Sequence, residues 1–360
     1  MGQEVEYPIG GDFMKTINIS GVPFPVSQIC MGTAMFGGPK IPKDVAFELL
    51  DTYYREGGRF FNTAQAYGMA EQCLGEWVRA RGVRKDVIVT SKGGQDKSKP
   101  SHMAMHREDI LEDVDQSLER MGFDHLDFYM MHVDDVSVGV DEIVGTLEEV
   151  RKSGKILHYG CSNWSVERQM EAMAYAKRMG YQGFVVDEIE HSIARCNREN
   201  DASNIKWLDE KFEKLHTDDG VCVGAYTAIS RGIFKKYLQN GNFEHSGGYV
   251  TDNDWHRHFT NPYNLEVAKR LKKLSEETGY SVIALQLAWI ADFPRKYPCF
   301  SIISASKVHQ LEESLGACKI TLTPDMVSYL CPARKQFPDG LDLMRAGQVF
   351  PFGLESTEDK

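Results

Sequence analysis

Short apolar runs that end in a polar side chain recur along this chain, and three of those endings could together move a proton. RFFNTA (59–64) carries Asn62 and leads to Tyr67, DVIVTSK (86–92) ends on Lys92, and LDFYMMH (126–132) ends on His132. A buried ammonium or imidazole must be paired or stay wet, so a folded core gives no structural reason to end one strand on lysine and the next on histidine. Either residue alone is explained as well by a rim position; their joint occurrence with a tyrosine at neighbouring run ends is not. A free phenol, with a pKa of about 10, is a poor acid or base at neutral pH, and an ammonium beside it stabilises the phenolate. The set suggests proton transfer to or from a substrate oxygen. The same run-end reading singles out Ser162, Asn163, Glu188, Tyr226 and the stretch from Ser304 to Lys307. Other chemistries lack their residues: there is no HExxH spacing or ligand cluster for a metal, no GxSxG elbow and no Walker or GxGxxG loop.

The elements that carry these residues repeat a strand-then-helix unit. ICMGTAMF (29–36) precedes a helix at 43–56, RFFNTA one at 70–80, DVIVTSK one at 107–121 and LDFYMMH one at 141–152. ILHYGCSN (156–163) precedes a helix at 166–179, and FVVDEIEH (184–191) one at 204–216. VCVGAYTA (221–228) is followed by a long loop and helical sequence over 265–291, and CFSIISAS (299–306) by a helix at 308–315. Eight consecutive units predict an α/β fold of the (β/α)₈ TIM-barrel class, because each parallel strand needs a crossover helix to return the chain. A doubly wound open sheet is the competing arrangement. VPFPVS (22–27) fits a short hairpin closing the barrel bottom, so a single barrel over 16–331 with a tail over 332–360 is expected. Active sites in such barrels gather at the carboxyl ends of the strands, where all the residues above fall.

Composition sets the remaining bounds. With 360 residues, 42% of them apolar and 26% charged, the chain can fill a sizeable core, and its length alone would allow two domains or one large barrel. Its formal charge of −11, with no dense basic run, argues against a nucleic-acid partner. Eight cysteines lie singly with no CxxC pair, as in reduced cytosolic thiols. The amino terminus lacks the features of a signal peptide and no apolar run would span a bilayer. A cytoplasmic protein with a small-molecule substrate and no membrane partner is expected; oligomeric state is not legible.

These runs resemble the aldo-keto reductases, NAD(P)-dependent barrel enzymes that pass hydride between nicotinamide and a carbonyl or alcohol. The resemblance rests on FNTAQAYG (61–68), VIVTSKGG (87–94), LDFYMMH (126–132), GKILHYGCSNWS (154–165), VGAYTAISRGIF (223–234) and SIISASKVHQLEESLGA (301–317), which occur in family order. It implies that Tyr67 is the proton donor, that Lys92 tunes it and that His132 orients the carbonyl oxygen. It places Ser162 and Asn163 at the nicotinamide carboxamide and Tyr226 against the nicotinamide ring. It also places Ser306, Lys307, Gln310 and Glu313 towards the adenosine end, with Ser304 among the cofactor-binding residues. Lys307, close to where a 2′-phosphate would sit, favours NADP over NAD.

Three departures from the family pattern stand out. Asn62 replaces an aspartate that pairs with the lysine, Glu188 replaces a glutamine at the carboxamide, and Ser314 replaces an asparagine near the adenine. Loss of the carboxylate at 62 is expected to leave Lys92 without its partner, and a carboxylate at 188 would favour the oxidised, positively charged ring. Both would bias the site towards alcohol oxidation. Trp164, Asp134 and Trp255, with Asp135, Tyr249, His256 and His258 nearby in sequence, suggest a sugar-like, polyhydroxylated substrate. Two alternatives remain open: a cofactor-retaining redox isomerase, epimerase or lyase on a carbohydrate, and a regulatory cofactor-binding subunit like the family's potassium-channel β subunits.

Overall fold

The computed structural model describes residues 13–95, 103–195, 205–241 and 259–331. An antiparallel hairpin, β1 (Thr16–Ile17) with β2 (Val26–Ser27), precedes eight parallel strands. These are β3 (Ile29–Gly32), β4 (Phe60–Asn62), β5 (Ile88–Gly93), β6 (Leu126–Met131), β7 (Ile156–Ser162), β8 (Val186–Glu190), β9 (Cys222–Tyr226) and β10 (Cys299–Ile303). They pair in chain order and β10 closes back onto β3, with Ser301 opposite Ile29, so the sheet is a barrel. The helices are α1 (Lys43–Arg55), α2 (Ala70–Arg81), α3 (Arg107–Met121), α4 (Val140–Ser153), α5 (Val166–Met179), α6 (Glu210–Asp219), α7 (Ile233–Asn240), α8 (Pro262–Thr278), α9 (Val282–Asp292), α10 (Val308–Leu315) and α11 (Pro324–Leu330).

Both faces of the strands are covered, by the barrel interior and by the helix ring, which is why their sequences read as continuous apolar runs rather than alternating ones. The period of two still sorts the side chains. Phe61, Val89 and Tyr129 join the outer core with Tyr53, Trp77 and Leu147. Phe60, Ile88, Phe128, Val186, Cys222 and Phe300 form a separate cluster inside, and Ile19, Phe24 and Val26 of the hairpin segment pack into it from below. Phe24 meets Phe128 and His158 edge-on, with ring centroids 6.1 and 5.8 Å apart. The hairpin therefore seals the amino-terminal end of the barrel, and the polar strand ends gather at the other.

Boundaries differ from the sequence reading where local hydrogen bonding overrides periodicity. The sixth helix begins at Glu210, not 204, because Asp209 caps it through Lys211 and Phe212 and because Leu208 N–H is held by the Glu190 carbonyl. The helical stretch over 265–291 is two helices: Gly279 takes a left-handed conformation (φ 75°) that ends α8, and Ser281 caps α9. Two short helices, α7 and α11, were not anticipated, since eight and seven residues are too few to show a 3.6-residue period clearly. The proposed tail from 332 and most of the loop after β9 lie outside the described residues.

If the hairpin is the barrel's lower plug, Phe24→Ala should lower the unfolding free energy by about 3 kcal/mol in a denaturant titration. A loss below about 1 kcal/mol would show that the plug contributes little.

Candidate active site

Position along the strands decides what faces the barrel mouth. Asn62 lies two residues beyond Phe60, and Lys92 and Glu188 likewise share the inward face of their strands with Ile88 and Val186, one layer above the apolar plug. All three are almost fully buried, at 2%, 1% and 3% exposure. They form one hydrogen-bonded unit. Lys92 Nζ donates to Asn62 Oδ1 at 2.6 Å and to the Thr63 carbonyl at 2.9 Å, and it lies 3.3 Å from Glu188 Oε2. Asn62 Nδ2 donates to Glu188 Oε1 at 2.6 Å. Burial is the largest single influence and works against the charge on Lys92, but Glu188, with Tyr67 and Cys30 adding to it, holds the ammonium above its ordinary pKa. Burial raises the Glu188 carboxyl above the usual carboxylate range, opposed by Lys92 and Asn62.

The expectation that Lys92 has no carboxylate partner is thus overturned. The negative charge comes from β8 instead of from residue 62, which removes the part of the argument for oxidation that rested on an unpartnered Lys92. Gly224 on β9 makes the arrangement possible. It stands directly opposite Glu188 in the barrel register, and a Cβ there would lie 2.9 Å from Glu188 Cγ and 2.9 Å from the Phe300 ring.

Tyr67 ends a single 3₁₀ turn, Gln65–Tyr67, that follows β4. Its ring lies over the Lys92 ammonium, which is 5.2 Å from the centroid, and its hydroxyl is 3.5 Å from His132 Nε2. Burial and the positive charge of Lys92 push His132 down to about 3, so its imidazole is neutral. Asn163, in a left-handed conformation (φ 61°), donates from Nδ2 to Ser162 Oγ at 2.9 Å and accepts from the Tyr226 hydroxyl at 2.5 Å. Burial raises the Tyr226 phenol well above its usual value, keeping it a donor.

On the far side of the mouth, Ser304, Lys307 and Gln310 are exposed and Ser306 is half-buried. Ser306 donates both N–H and Oγ–H to Gln310 Oε1 at 3.1 Å, and Glu313 pairs with Lys235 of α7 at 2.5 Å. Ser314 Oγ turns back to the Gln310 carbonyl at 3.0 Å.

The structure brings Asn62, Tyr67, Lys92, His132 and Glu188 together, and it engages two of the carbohydrate-directed residues, Trp164 and Asp134, in contacts of their own. Trp164 is fully buried, donates Nε1–H to the Val133 carbonyl at 2.7 Å and packs against the Arg168 guanidinium. Asp134 pairs with Arg168 at 3.1 Å, and Trp255 lies outside the described residues. Sequence reasoning missed the Thr63 carbonyl, which no side-chain motif reports. It also missed Gly224, whose signal was its place two residues before Tyr226 on the same inward face. No group of three or more His, Cys, Asp or Glu able to hold a metal occurs among the described residues. No described helix is long and apolar enough to cross a membrane.

The profile of the aldo/keto reductase family matches residues 28–333. The chain belongs to the aldo/keto reductase family. Relatives of this aldo/keto reductase include a probable voltage-gated potassium channel subunit beta of Oryza sativa subsp. japonica, 26% identical over 87% of this chain and 94% of the rice protein. A norsolorinic acid reductase of Emericella nidulans is 27% identical over 84% and 76%. An NADP(+) aryl-alcohol dehydrogenase of Phanerodontia chrysosporium is 25% identical over 84% and 80%. A crystal structure of a thermostable aldo-keto reductase with the inhibitor epalrestat has the same fold, with a TM-score of 0.66 over 88% of this chain and 98% of that one at 20% identity. This aldo/keto reductase is an NAD(P)-dependent oxidoreductase.

Because the folded pKa of His132 lies below the unfolded value of about 6.5, its neutral form costs stability as pH falls below about 6.5 and costs nothing above it. Histidine-selective NMR, assigned with His132→Gln, should show this ring neutral down to pH 5; an imidazolium signal that titrates above pH 6 contradicts the burial argument.

Proposed function

We propose that this aldo/keto reductase interconverts a carbonyl and an alcohol with NADP(H), the Tyr67 hydroxyl moving the proton at the substrate oxygen. The observation that carries the reading is the Tyr67 hydroxyl 3.5 Å from a neutral His132, with the Lys92 ammonium under the tyrosine ring. In reduction Tyr67 Oη gives its proton to the carbonyl oxygen; in oxidation it takes the proton back. A neutral His132 can hydrogen-bond the same oxygen without competing for that proton.

The residues fit a nicotinamide dinucleotide, which when bound supplies or accepts the hydride. After Tyr226 the backbone is left-handed at Thr227 (φ 52°), Ser230 (φ 51°), Arg231 (φ 53°) and Gly232 (φ 75°), a strained conformation for the first three. Thr227 Oγ donates to Glu190 at 2.7 Å and anchors this turn, while Ser230 Oγ is buried without a hydrogen-bond partner among the described residues. Ser162 and Asn163 would hold the carboxamide and Tyr226 the ring. Ser304, Ser306, Lys307, Gln310 and Glu313 would hold the adenosine end, with Lys307 the cation for a 2′-phosphate.

The substrate reading turns on the rim. Met69, two residues after Tyr67, is 49% exposed, and Val136, four residues after His132, is 78% exposed. Apolar side chains on the loops that carry the two reacting residues favour an aromatic or other apolar-bodied carbonyl over a sugar ring. Among the relatives, the aryl-alcohol dehydrogenase name agrees with this preference. Retention of Tyr67, Lys92 and His132 together favours turnover over a purely regulatory role.

Three measurements test the reading. Tyr67→Phe should lower kcat by about 10²- to 10⁴-fold while NADPH binding, followed by fluorescence, stays intact; unchanged kcat removes Tyr67 from the chemistry. Lys307→Ala should weaken NADPH about tenfold and leave NADH unchanged; equal effects on both would overturn the NADP assignment. Aryl aldehydes should be reduced with higher kcat/KM than aldoses, and the opposite order would restore the sugar-like substrate.

A further inference from the structure

We infer that residues 62 and 188 form one coupled unit in which Glu188 supplies the counter-charge that positions the Lys92 ammonium and Asn62 is the neutral bridge that holds the two together. The inference rests on the proton-donor reading of Tyr67 and adds to it the origin of the charge balance beneath that tyrosine. Glu188 and Asn62 are positioning residues here, acting through Lys92.

The chemistry of the amide requires this division of labour. Asn62 presents its oxygen to Lys92 and its N–H to Glu188, each at 2.6 Å, so both ends of the side chain are used. A carboxylate at 62 could not donate to Glu188, and it would set two carboxylates against each other around one ammonium. An amide at 188, with Asn62 retained, would leave Lys92 only neutral acceptors, Asn62 Oδ1 and the Thr63 carbonyl. Exchanging both residues keeps one carboxylate, one amide and one ammonium. Gly224 opposite Glu188 and the Phe300 ring beyond it leave space for the glutamate to sit there and for little else.

Tyr67 and Cys30, the other titratable groups that face Lys92, add to the effect of Glu188 but are not carboxylates. From β3, Cys30 faces both Lys92 and Glu188 but is a thiol that burial holds well above its usual pKa. From β6, His132 is neutral; from β9, Tyr226 stays protonated; β7 contributes the neutral Ser162. Asp187, next to Glu188 in sequence, points to the outer face of the barrel, where it accepts from Gln169 at 2.9 Å and lies 3.3 Å from His216. Tyr67 is the group that the ammonium faces.

The test is a four-protein cycle: the natural chain, Asn62→Asp, Glu188→Gln and the double exchange, each assayed for kcat/KM against pH and for thermal unfolding without cofactor. Each single variant should lose about tenfold or more in kcat/KM. In Glu188→Gln the alkaline limb should move at least about one pH unit lower, because a buried ammonium without an anion releases its proton sooner. The double exchange should return to within about threefold of the natural chain and restore both the limb and the unfolding temperature. Losses that simply add in the double variant, or an unmoved limb in Glu188→Gln, overturn the inference. If Glu188→Gln does not fold, Asn62→Asp against the double exchange decides, and the inference requires the double to be the more active. Failure of the wider reading looks different: Tyr67→Phe would then keep its turnover whatever the cycle shows.

Discussion

An ammonium group held almost out of contact with water must be surrounded by acceptors and balanced by an anion, and the centre of this barrel is arranged around that requirement. Lys92 exposes 1% of its surface, and its three neighbours, the Asn62 amide oxygen, the Thr63 carbonyl and the Glu188 carboxylate, match its three N–H donors. An unpaired buried charge would give up its proton; this one keeps it because Glu188, together with Tyr67 and Cys30, offsets the loss of water. The barrel register makes the contact, since the inward residues of β4, β5 and β8 meet at one level above the apolar plug.

From that level outward, the consequences follow in order. The positive charge fixed beneath Tyr67 also helps keep His132 neutral. One cation therefore lies beside both the proposed proton donor and its neutral hydrogen-bonding neighbour at a single mouth. The lower plug of Phe24, Phe60, Phe128 and Phe300 keeps the interior below dry, which strengthens each electrostatic contact above it. The backbone strain after Tyr226 sits at the same end of the barrel, where side chains and loops converge, and not in the plug.

Much of this was legible in the residues. The eight repeats specify the barrel because a parallel strand cannot be joined to the next without a helix, and Tyr67, Lys92 and His132 stand out because cores do not end in such groups without cause. The pairing of Lys92 with Glu188 was not legible. Each residue can be read from its own strand, but whether two inward side chains from non-adjacent strands reach each other depends on barrel closure and on the missing side chain at Gly224. Read one position at a time, Asn62 looked like a lost charge; in three dimensions the charge sits on another strand. Trp164 shows the converse, a residue suited by type to a sugar face whose indole N–H is already bonded to Val133 inside the core.

The most direct test of the central claim is the titration of Lys92 itself. In cofactor-free protein labelled with ¹³C at lysine Cε, the Lys92 resonance can be identified as the one lost in Lys92→Arg and followed from pH 7 to 12. The account predicts that it keeps its proton to a pH above the ordinary lysine value of about 10.4. A midpoint below about 9 would show that burial prevails over Glu188 and would contradict the account.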